Sequence, residues 1–442
     1  MQKIVIANRG AIARRIVRTC AELGLQSVAV YSEADAGAPY LAEASEAYPL
    51  AGVLPADTYL NQAALLAVAQ NCGADAVHPG YGFLAENAGF AQRVIDSGLT
   101  FVGPSPRWLA AMGDKVAARE LLAEQGFPMF AGSDEVQDAE SAATAAEEIG
   151  YPVMVKPSGG GGGMGMQIVH EPALLEDAVL RARAIGASAF DQSGVYLEKY
   201  IEQPRHIEFQ ILGDGKGNAI HLYERDCSVQ RRNQKLIEES PAPGISPDRL
   251  EREAMKSAEV CAGLGYDNIG TLETLFTPAG DMGFLEMNTR IQVEHGVTES
   301  VTGCDLVALQ IGLAQGEVLP MQPERKGFAV EARLYAEDSV SMLPSTGRLS
   351  VFRPPRMYGV RIETGYAQGQ LVTPFYDAML AKVIAHGQTR ELAIGRLCVA
   401  LQAFAVEGVK TNATLLRRIL QSADFLAGRV DTGIVDRITG EK

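Results

Sequence analysis

Between Glu286 and Glu294 the sequence reads Glu-Met-Asn-Thr-Arg-Ile-Gln-Val-Glu. Its even positions are Glu286, Asn288, Arg290, Gln292 and Glu294; the odd ones are Met, Thr, Ile and Val. That period predicts a strand with all five polar groups on one face. A solvent-facing row has the same period, so content must decide. Here carboxylates and amides flank a single arginine. Glu286 and Asn288 offer oxygens spaced for a hard cation such as Mg²⁺. Arg290 suits an oxyanion, and Glu294 held near it suits a base. A second row, His206, Glu208 and Gln210, shares one face of a predicted strand. Glu273 lies in another, separated from Glu286 by a turn at Pro278–Gly283. Hairpin pairing would bring those two carboxylates together, as metals that bridge nucleotide phosphates require.

Lys156 precedes Pro157-Ser158-Gly159-Gly160-Gly161-Gly162-Gly163-Met164-Gly165. Glycine permits positive φ and close backbone approach, so consecutive N–H groups can converge on an anion. Such a hairpin can also close over a ligand. No Gly-Lys-Ser/Thr follows, so this is not a Walker A loop. A strand-held Lys156 beside the tract would reach phosphate oxygens. The segment Arg225–Lys235 holds four cations in eleven residues. Either it is a solvated charge cluster, or Lys235 and its neighbours hold a small anion.

The elements that must position these groups follow from the hydrophobic pattern. Strands at Ile4–Ala7, Ser27–Tyr31, Ala76–His78 and Leu99–Val102 alternate with helices over about Ala11–Leu23, Leu65–Cys72 and Phe90–Ser97. That alternation predicts a parallel sheet covered on both faces. The first turn, Asn8-Arg9-Gly10, is not a GxGxxG fingerprint, which argues against dinucleotide binding there. A helical connector follows. The next unit has a helix at Ala139–Ile149, strands Val153–Lys156 and Met166–Val169 around the glycine tract, and another helix. From Arg205 onward, long polar–apolar alternation predicts antiparallel strands.

Composition bounds the reading. The 442 residues carry a formal net charge of −15, which argues against a general nucleic-acid or anionic-membrane binder. Glycine, 46 residues, is in excess and points back to the tract. Six scattered cysteines form no CxxC or Cys/His cluster, which speaks against a zinc site or disulfide framework and fits a reducing cytoplasm. The N-terminus runs straight into a strand without a signal-peptide layout, and no run of 18 apolar residues occurs.

Together the stretches IVIANRGAIARRI, HPGYGFLAENAGFA, MGDK, VKPSGGGGGMGM, EKYIEQPRHIEFQ, ERDCSVQRRNQK, EESPAPG, EMNTRIQVEHGVTE and YDAMLAKVI, spread over nearly the whole chain, resemble the biotin carboxylase family within the ATP-grasp superfamily. The resemblance implies a mixed α/β fold of ATP-grasp architecture: a Rossmann-like parallel-sheet domain at 1–112, a helical connector at 113–130, a small lid subdomain at 131–202 and an antiparallel-sheet C-terminal domain at 203–442. It implies that ATP activates bicarbonate as carboxyphosphate and that biotin on a carrier protein is carboxylated. In this mapping Lys115 and Lys156 meet phosphates under a lid of Gly161, Gly162, Gly163 and Gly165. Glu198, Lys199 and Ile201 meet adenine, and His206 and Gln230 the nucleotide. Glu273, Glu286 and Asn288 hold Mg²⁺ or Mn²⁺. Lys235, Arg290, Gln292, Val293 and Glu294 hold bicarbonate, with Glu294 as base, and Arg333 stabilises the biotin oxyanion.

Several positions depart from the family pattern: Ala11, Met164, Asn233, Gly296, Ala332 and Tyr335 stand where Glu, Arg, His, Pro, Cys and Asn are usual. No Met-Lys-Met biotinylation motif occurs, so the resemblance implies a separate biotin carboxyl carrier protein and separate carboxyltransferase subunits of acetyl-CoA carboxylase or a related enzyme. It implies a homodimer through Arg18, Glu22, Tyr358 and Arg361. Two other readings remain open: an ATP-grasp ligase joining a carboxylate to an amine, and a degenerate nucleotide-binding subunit in a carboxylase complex.

Overall fold

The computed structural model describes residues 1–158, 164–190 and 193–440. The first layer is a parallel five-stranded sheet of β1 (Lys3–Ile6), β2 (Gln26–Tyr31), β3 (Glu46–Pro49), β4 (Ala76–His78) and β5 (Thr100–Phe101), in the order β3-β2-β1-β4-β5. The helix Gly10–Glu22 packs on it because Ile12, Ile16, Val17 and Cys20 recur on one face and are buried. Strand order reverses at β1, and open parallel sheets bind ligands at such a point. There Asn8 Nδ2 donates to the Pro79 and Tyr81 carbonyls, both at 2.7 Å, tying the two loops together. The edge strand β3 escapes the sequence pattern because Glu46 and Ala47-Tyr48-Pro49 look like turn residues, with only alternate positions partly buried.

Helices Pro106–Gly113 and Lys115–Glu124 follow. A small antiparallel sheet comes next, β6 (Val153–Pro157), β7 (Gln167–Val169) and β8 (Val195–Lys199), in the order β7-β6-β8, backed by helices Ala139–Ile149 and Leu175–Phe190. The third layer contains β9 (Arg205–Asp214), β10 (Ala219–Arg231), β11 (Gln234–Ser240), β12 (Asp267–Phe276), β13 (Met282–Asn288) and β14 (Phe328–Tyr335). Short strands β15 (Gly347–Arg348), β16 (Val351–Arg353), β17 (Val360–Glu363) and β18 (Leu371–Val372) lead to β19 (Met379–Gly387) and β20 (Ala405–Glu407). Eight of these form one antiparallel sheet, β13-β12-β9-β10-β11-β14-β19-β17.

The helix Pro247–Leu264 covers one side of that sheet. Ser246 caps its start by accepting from Arg249 N–H, and Gly265 ends it in the left-handed region at φ +67. Among the described residues no helix is long and apolar enough to cross a membrane.

Candidate active site

The loops of the first sheet, the inner strands of the small sheet and β9–β14 surround one cleft of about 1100 Å³. Lys115, Lys156, Glu198, Lys199, Ile201, His206, Gln230 and Lys235 line it, as do Glu273, Glu286, Asn288, Arg290, Gln292, Val293 and Arg333. Glu294 is fully buried just behind this wall, and Gly165, at φ +78, stands outside the lining. The remaining lid positions, Gly159–Gly160 and Gly161, Gly162 and Gly163, lie outside the described residues.

Strand register assembles the centre. Glu273 of β12 stands directly opposite Glu286 of β13 and Glu208 of β9, and Glu208 stands opposite Arg225 of β10. The hairpin expected from the sequence is therefore present. Lys235 Nζ reaches three carboxylates: Glu208 Oε2 at 2.6 Å, Glu294 Oε1 at 2.6 Å and Glu273 Oε1 at 3.0 Å. Arg333 binds Glu294 Oε2 at 3.0 Å through Nη2 and Glu238 Oε1 at 2.6 Å through Nε. Burying one carboxylate costs several kcal/mol unless it is paired. Burial does oppose ionisation of Glu294, but Lys235, Arg333 and Arg225 outweigh it and hold its pKa well below the ordinary value. Glu294 is thus kept in its anionic form.

Another side of the cleft is rich in oxygens. Glu273 Oε1 also accepts from Asn288 Nδ2 at 2.8 Å and Gln292 Nε2 at 2.9 Å, while His206 Nε2 lies 2.8 Å from Glu273 Oε2. Burial is opposed by Lys235 and His206, which keep Glu273 ionised and its pKa lowered. Asn288 Oδ1 accepts from Arg290 Nη2 at 2.8 Å, and Lys115 Nζ lies 3.4 Å from Glu286 Oε2. Two facing carboxylates and an amide oxygen fit a hard divalent cation. On the opposite wall the Glu198 carboxylate pairs with Lys156 and, at 2.6 Å, with Arg119 Nη1. Lys199 Nζ turns away from the cleft to the Gly150 and Tyr151 carbonyls at 2.8 and 3.0 Å.

The continuous strand expected over Glu286–Glu294 is corrected by the structure: β13 ends at Asn288, and 289–294 is a loop before the helix His295–Thr302. The N–H of Thr289 is given to Glu86 Oε1 at 3.0 Å instead of to a neighbouring strand, and Glu86 Oε2 takes Arg290 Nε at 2.8 Å. Ile291 then turns into the core beside Leu306, Val307 and Ile311. Glu286, Asn288, Arg290 and Gln292 therefore reach the cleft, with Glu294 just behind it, along a bent backbone rather than on one pleated face. The cation-rich segment is not a solvated cluster. Arg225 is completely buried, donating to Glu208 at 2.5 Å and to Gln210 and Thr298 at 2.8 Å, and Arg231 pairs with Glu337 at 2.6 Å. Glu86, Arg119 and Glu238 are site groups the residue-by-residue reading did not single out. Glu86, in the turn-rich HPGYGFLAENAGFA stretch, and Glu238, which opens EESPAPG, lie in stretches that carry the family resemblance; Arg119 lies in none of them.

Family models match almost the whole chain: "Biotin carboxylase, N-terminal domain" over 1–109, "Carbamoyl-phosphate synthase L chain, ATP binding domain" over 114–322 and "Biotin carboxylase C-terminal domain" over 331–437. The biotin carboxylase of Allochromatium vinosum is 46% identical over all of this chain and 99% of that protein. The chain belongs to the biotin carboxylase family. It is therefore a ligase of the ATP-grasp type. A pyruvate carboxylase subunit from Methanothermobacter thermautotrophicus is 44% identical over 98% of this chain and 89% of that protein. The biotin carboxylase domain dimer of Hydrogenobacter thermophilus 2-oxoglutarate carboxylase, solved with MgADP, ADP and bicarbonate, superposes with a TM-score of 0.96. It is 42% identical, covering 99% of this chain and 98% of that one.

Two departures from the biotin carboxylase pattern have local physical reasons. Arg232 and Asn233 are the two loop residues of the β10–β11 hairpin, with φ +50 and +64. A two-residue turn with both φ positive favours Asn. At Gly296 a Cβ would fall 2.5 Å from Arg361 Nη2 and from Ile384 Cδ1. The missing side chain leaves the space into which Arg361 turns, 2.8 Å from Glu299 Oε2.

Proposed function

We propose that this chain uses ATP and bicarbonate to carboxylate biotin carried on a separate biotin carboxyl carrier protein. The observation that carries the reading is Glu294: an anionic carboxylate, fully buried, gripped by Lys235 on one side and Arg333 on the other. Bicarbonate is placed between Lys235, Arg290, Gln292 and the Val293 N–H. Its negative charge draws Lys235 away from Glu294, which raises the basicity of that carboxylate at the moment it must accept the bicarbonate proton. The resulting carbonate oxygen attacks the γ-phosphorus of ATP, ADP leaves, and carboxyphosphate breaks down to CO₂ and phosphate. Phosphate takes the proton from biotin N1′, Arg333 stabilises the ureido oxyanion, and N1′ bonds to CO₂.

Glu273, Glu286 and Asn288 would hold Mg²⁺, which shields phosphate charge when bound. Lys115 and Lys156 neutralise phosphate oxygens, with Glu198 and Arg119 fixing Lys156 in place. Ile201, Lys199, His206 and Gln230 frame the base and ribose, and the glycine tract with Gly165 forms the lid. The chain is divided as 1–112, 113–130, 131–202 and 203–442, with the cleft shared among these parts. It works as a homodimer with carboxyltransferase subunits of acetyl-CoA carboxylase or another acyl-CoA carboxylase, in the cytoplasm. Six cysteines free of disulfides support a reducing compartment.

ADP release is measured with and without bicarbonate and free biotin. Bicarbonate-dependent release that biotin stimulates is the expected outcome; no ADP under any condition defeats the reading. Glu294→Gln should lower bicarbonate-dependent turnover by about 100-fold or more, as loss of a general base does. Its MgATP affinity should stay within about three-fold, since the base does not contact the nucleotide. Loss of ATP affinity instead would show that Glu294 serves the nucleotide.

A further inference from the structure

The loop from Thr289 to Glu294 carries Arg290, Gln292, Val293 and Glu294, yet no strand pairing fixes its backbone. It is held from outside at two successive peptide planes. His295 Nδ1 lies 2.7 Å from the Gln292 carbonyl, and Lys382 Nζ donates to the Val293 carbonyl at 2.5 Å. A peptide unit is planar, so a held carbonyl also orients the N–H of the next residue. The first contact therefore aims the Val293 N–H, and the second fixes the plane that leads into Glu294.

Lys382 is unusual in its setting. It sits in the middle of β19 with no solvent exposure and does not line the cleft. Such a lysine has given up its hydration and must use its three donors internally. Glu363, directly opposite on β17, takes one at 2.8 Å, and Glu331 Oε2 stands 3.9 Å away. Charge balance alone does not call for a lysine, because Glu363 also has Arg361 at 3.2 Å and Arg15 at 3.6 Å. What neither arginine supplies is the bond to Val293.

We propose that Lys382 is a positioning residue for bicarbonate: anchored by Glu363, its ammonium pins the Val293 carbonyl and so fixes the peptide plane that leads into Glu294, holding that carboxylate at its working separation from the Val293 N–H that the His295 contact aims. This rests on the carboxylation reading above. Lys382 touches no substrate, so its loss acts on the bicarbonate step and leaves the nucleotide wall, built on β6, β8 and β13, in place.

The test is Lys382→Met, close in shape but without the donor, compared with the unsubstituted protein in bicarbonate-dependent ADP release. The expected result is a KM for bicarbonate raised about ten-fold or more, equivalent to about 1.4 kcal/mol, with MgATP affinity by calorimetry within about three-fold. A bicarbonate KM within about two-fold of the parent, or equal losses for both substrates in a folded protein, overturns the proposal. Should the methionine variant not fold, Lys382→Arg keeps the charge but moves the donor atoms and reads the same split, with the same two outcomes deciding. No bicarbonate-dependent ADP from the unsubstituted protein defeats the carboxylation reading itself; an active parent with an indifferent Lys382 variant defeats only the positioning role.

Discussion

Behind Arg333 two carboxyl groups face each other, Glu238 on β11 and Glu331 on β14, in direct register. Directly opposite residues on antiparallel strands have Cβ atoms only about 5 Å apart. Both are fully buried, and Glu238 Oε2 and the two Glu331 oxygens have no hydrogen-bond partner. Burial pushes Glu331 up to about 8, against the pull of Lys382, and Glu238 up to about 7. The folded protein therefore keeps protons that the unfolded chain releases above its ordinary carboxyl range near 4.5. Stability then falls as pH rises from about 4.5 to about 8, because the native state binds more protons there. Glu331→Gln has no proton to lose and an amide to offer Glu238. Its melting temperature should gain on the parent progressively between about pH 5 and 8; parallel curves across that range would count against the buried pair.

At the scale of elements, one rung of the large sheet carries the site: Glu286, Glu273, Glu208 and Arg225 on four adjacent strands. Arg225 is the support of that rung. Replacing it with Met removes the buried donor shared by Glu208, Gln210 and Thr298, leaving Glu208 to Lys235 alone, and should cost about 3–5 kcal/mol, seen as a lower urea midpoint. Adding Glu208→Gln removes a fully buried carboxylate that would keep only the Lys235 contact at 2.6 Å, so the double variant should be more stable than Arg225→Met alone. Simple additivity of the two losses would show that the pair is not a unit.

The rung was half legible in the sequence. The Glu273–Glu286 hairpin followed from two alternating runs and a turn, and the His206, Glu208, Gln210 row from period alone. The bend after Asn288 was not legible, because alternation continues to Glu294 while the forces that break the strand come from Glu86, some 200 residues earlier. Lys382 was hidden for the same reason: its partners Val293 and Glu363 are distant in sequence, and a lysine in an apolar run says nothing about them.

Across the whole molecule, a net charge of −15 coexists with a cleft whose walls hold Lys115, Lys156, Lys235, Arg290 and Arg333. Glycine excess and acidity were visible from composition, but only the folded chain shows those cations paired with carboxylates, buried ones for Lys156, Lys235 and Arg333. The helix Gly10–Glu22 joins this interior to the outer surface. On its inner face Arg15 binds Glu299 at 3.0 Å and Asp305 at 2.9 Å, while Arg18 and Glu22 on the same helix are exposed. Near the other end of that ion network Tyr358 is 89% exposed, with the Arg396 guanidinium 5.1 Å from its ring centre. An exposed large aromatic, Tyr358, and an exposed arginine, Arg18, are residue types enriched where proteins associate. These exposures are in keeping with the proposed homodimer contact at Arg18, Glu22, Tyr358 and Arg361. Sedimentation equilibrium at micromolar concentration should give about twice 47.2 kDa for the parent. The double variant Arg18→Glu, Tyr358→Ala should give the single mass with an unchanged circular dichroism spectrum, because neither side chain contributes to the core. A parent already at 47.2 kDa, or a variant that stays dimeric, would remove these residues from the interface.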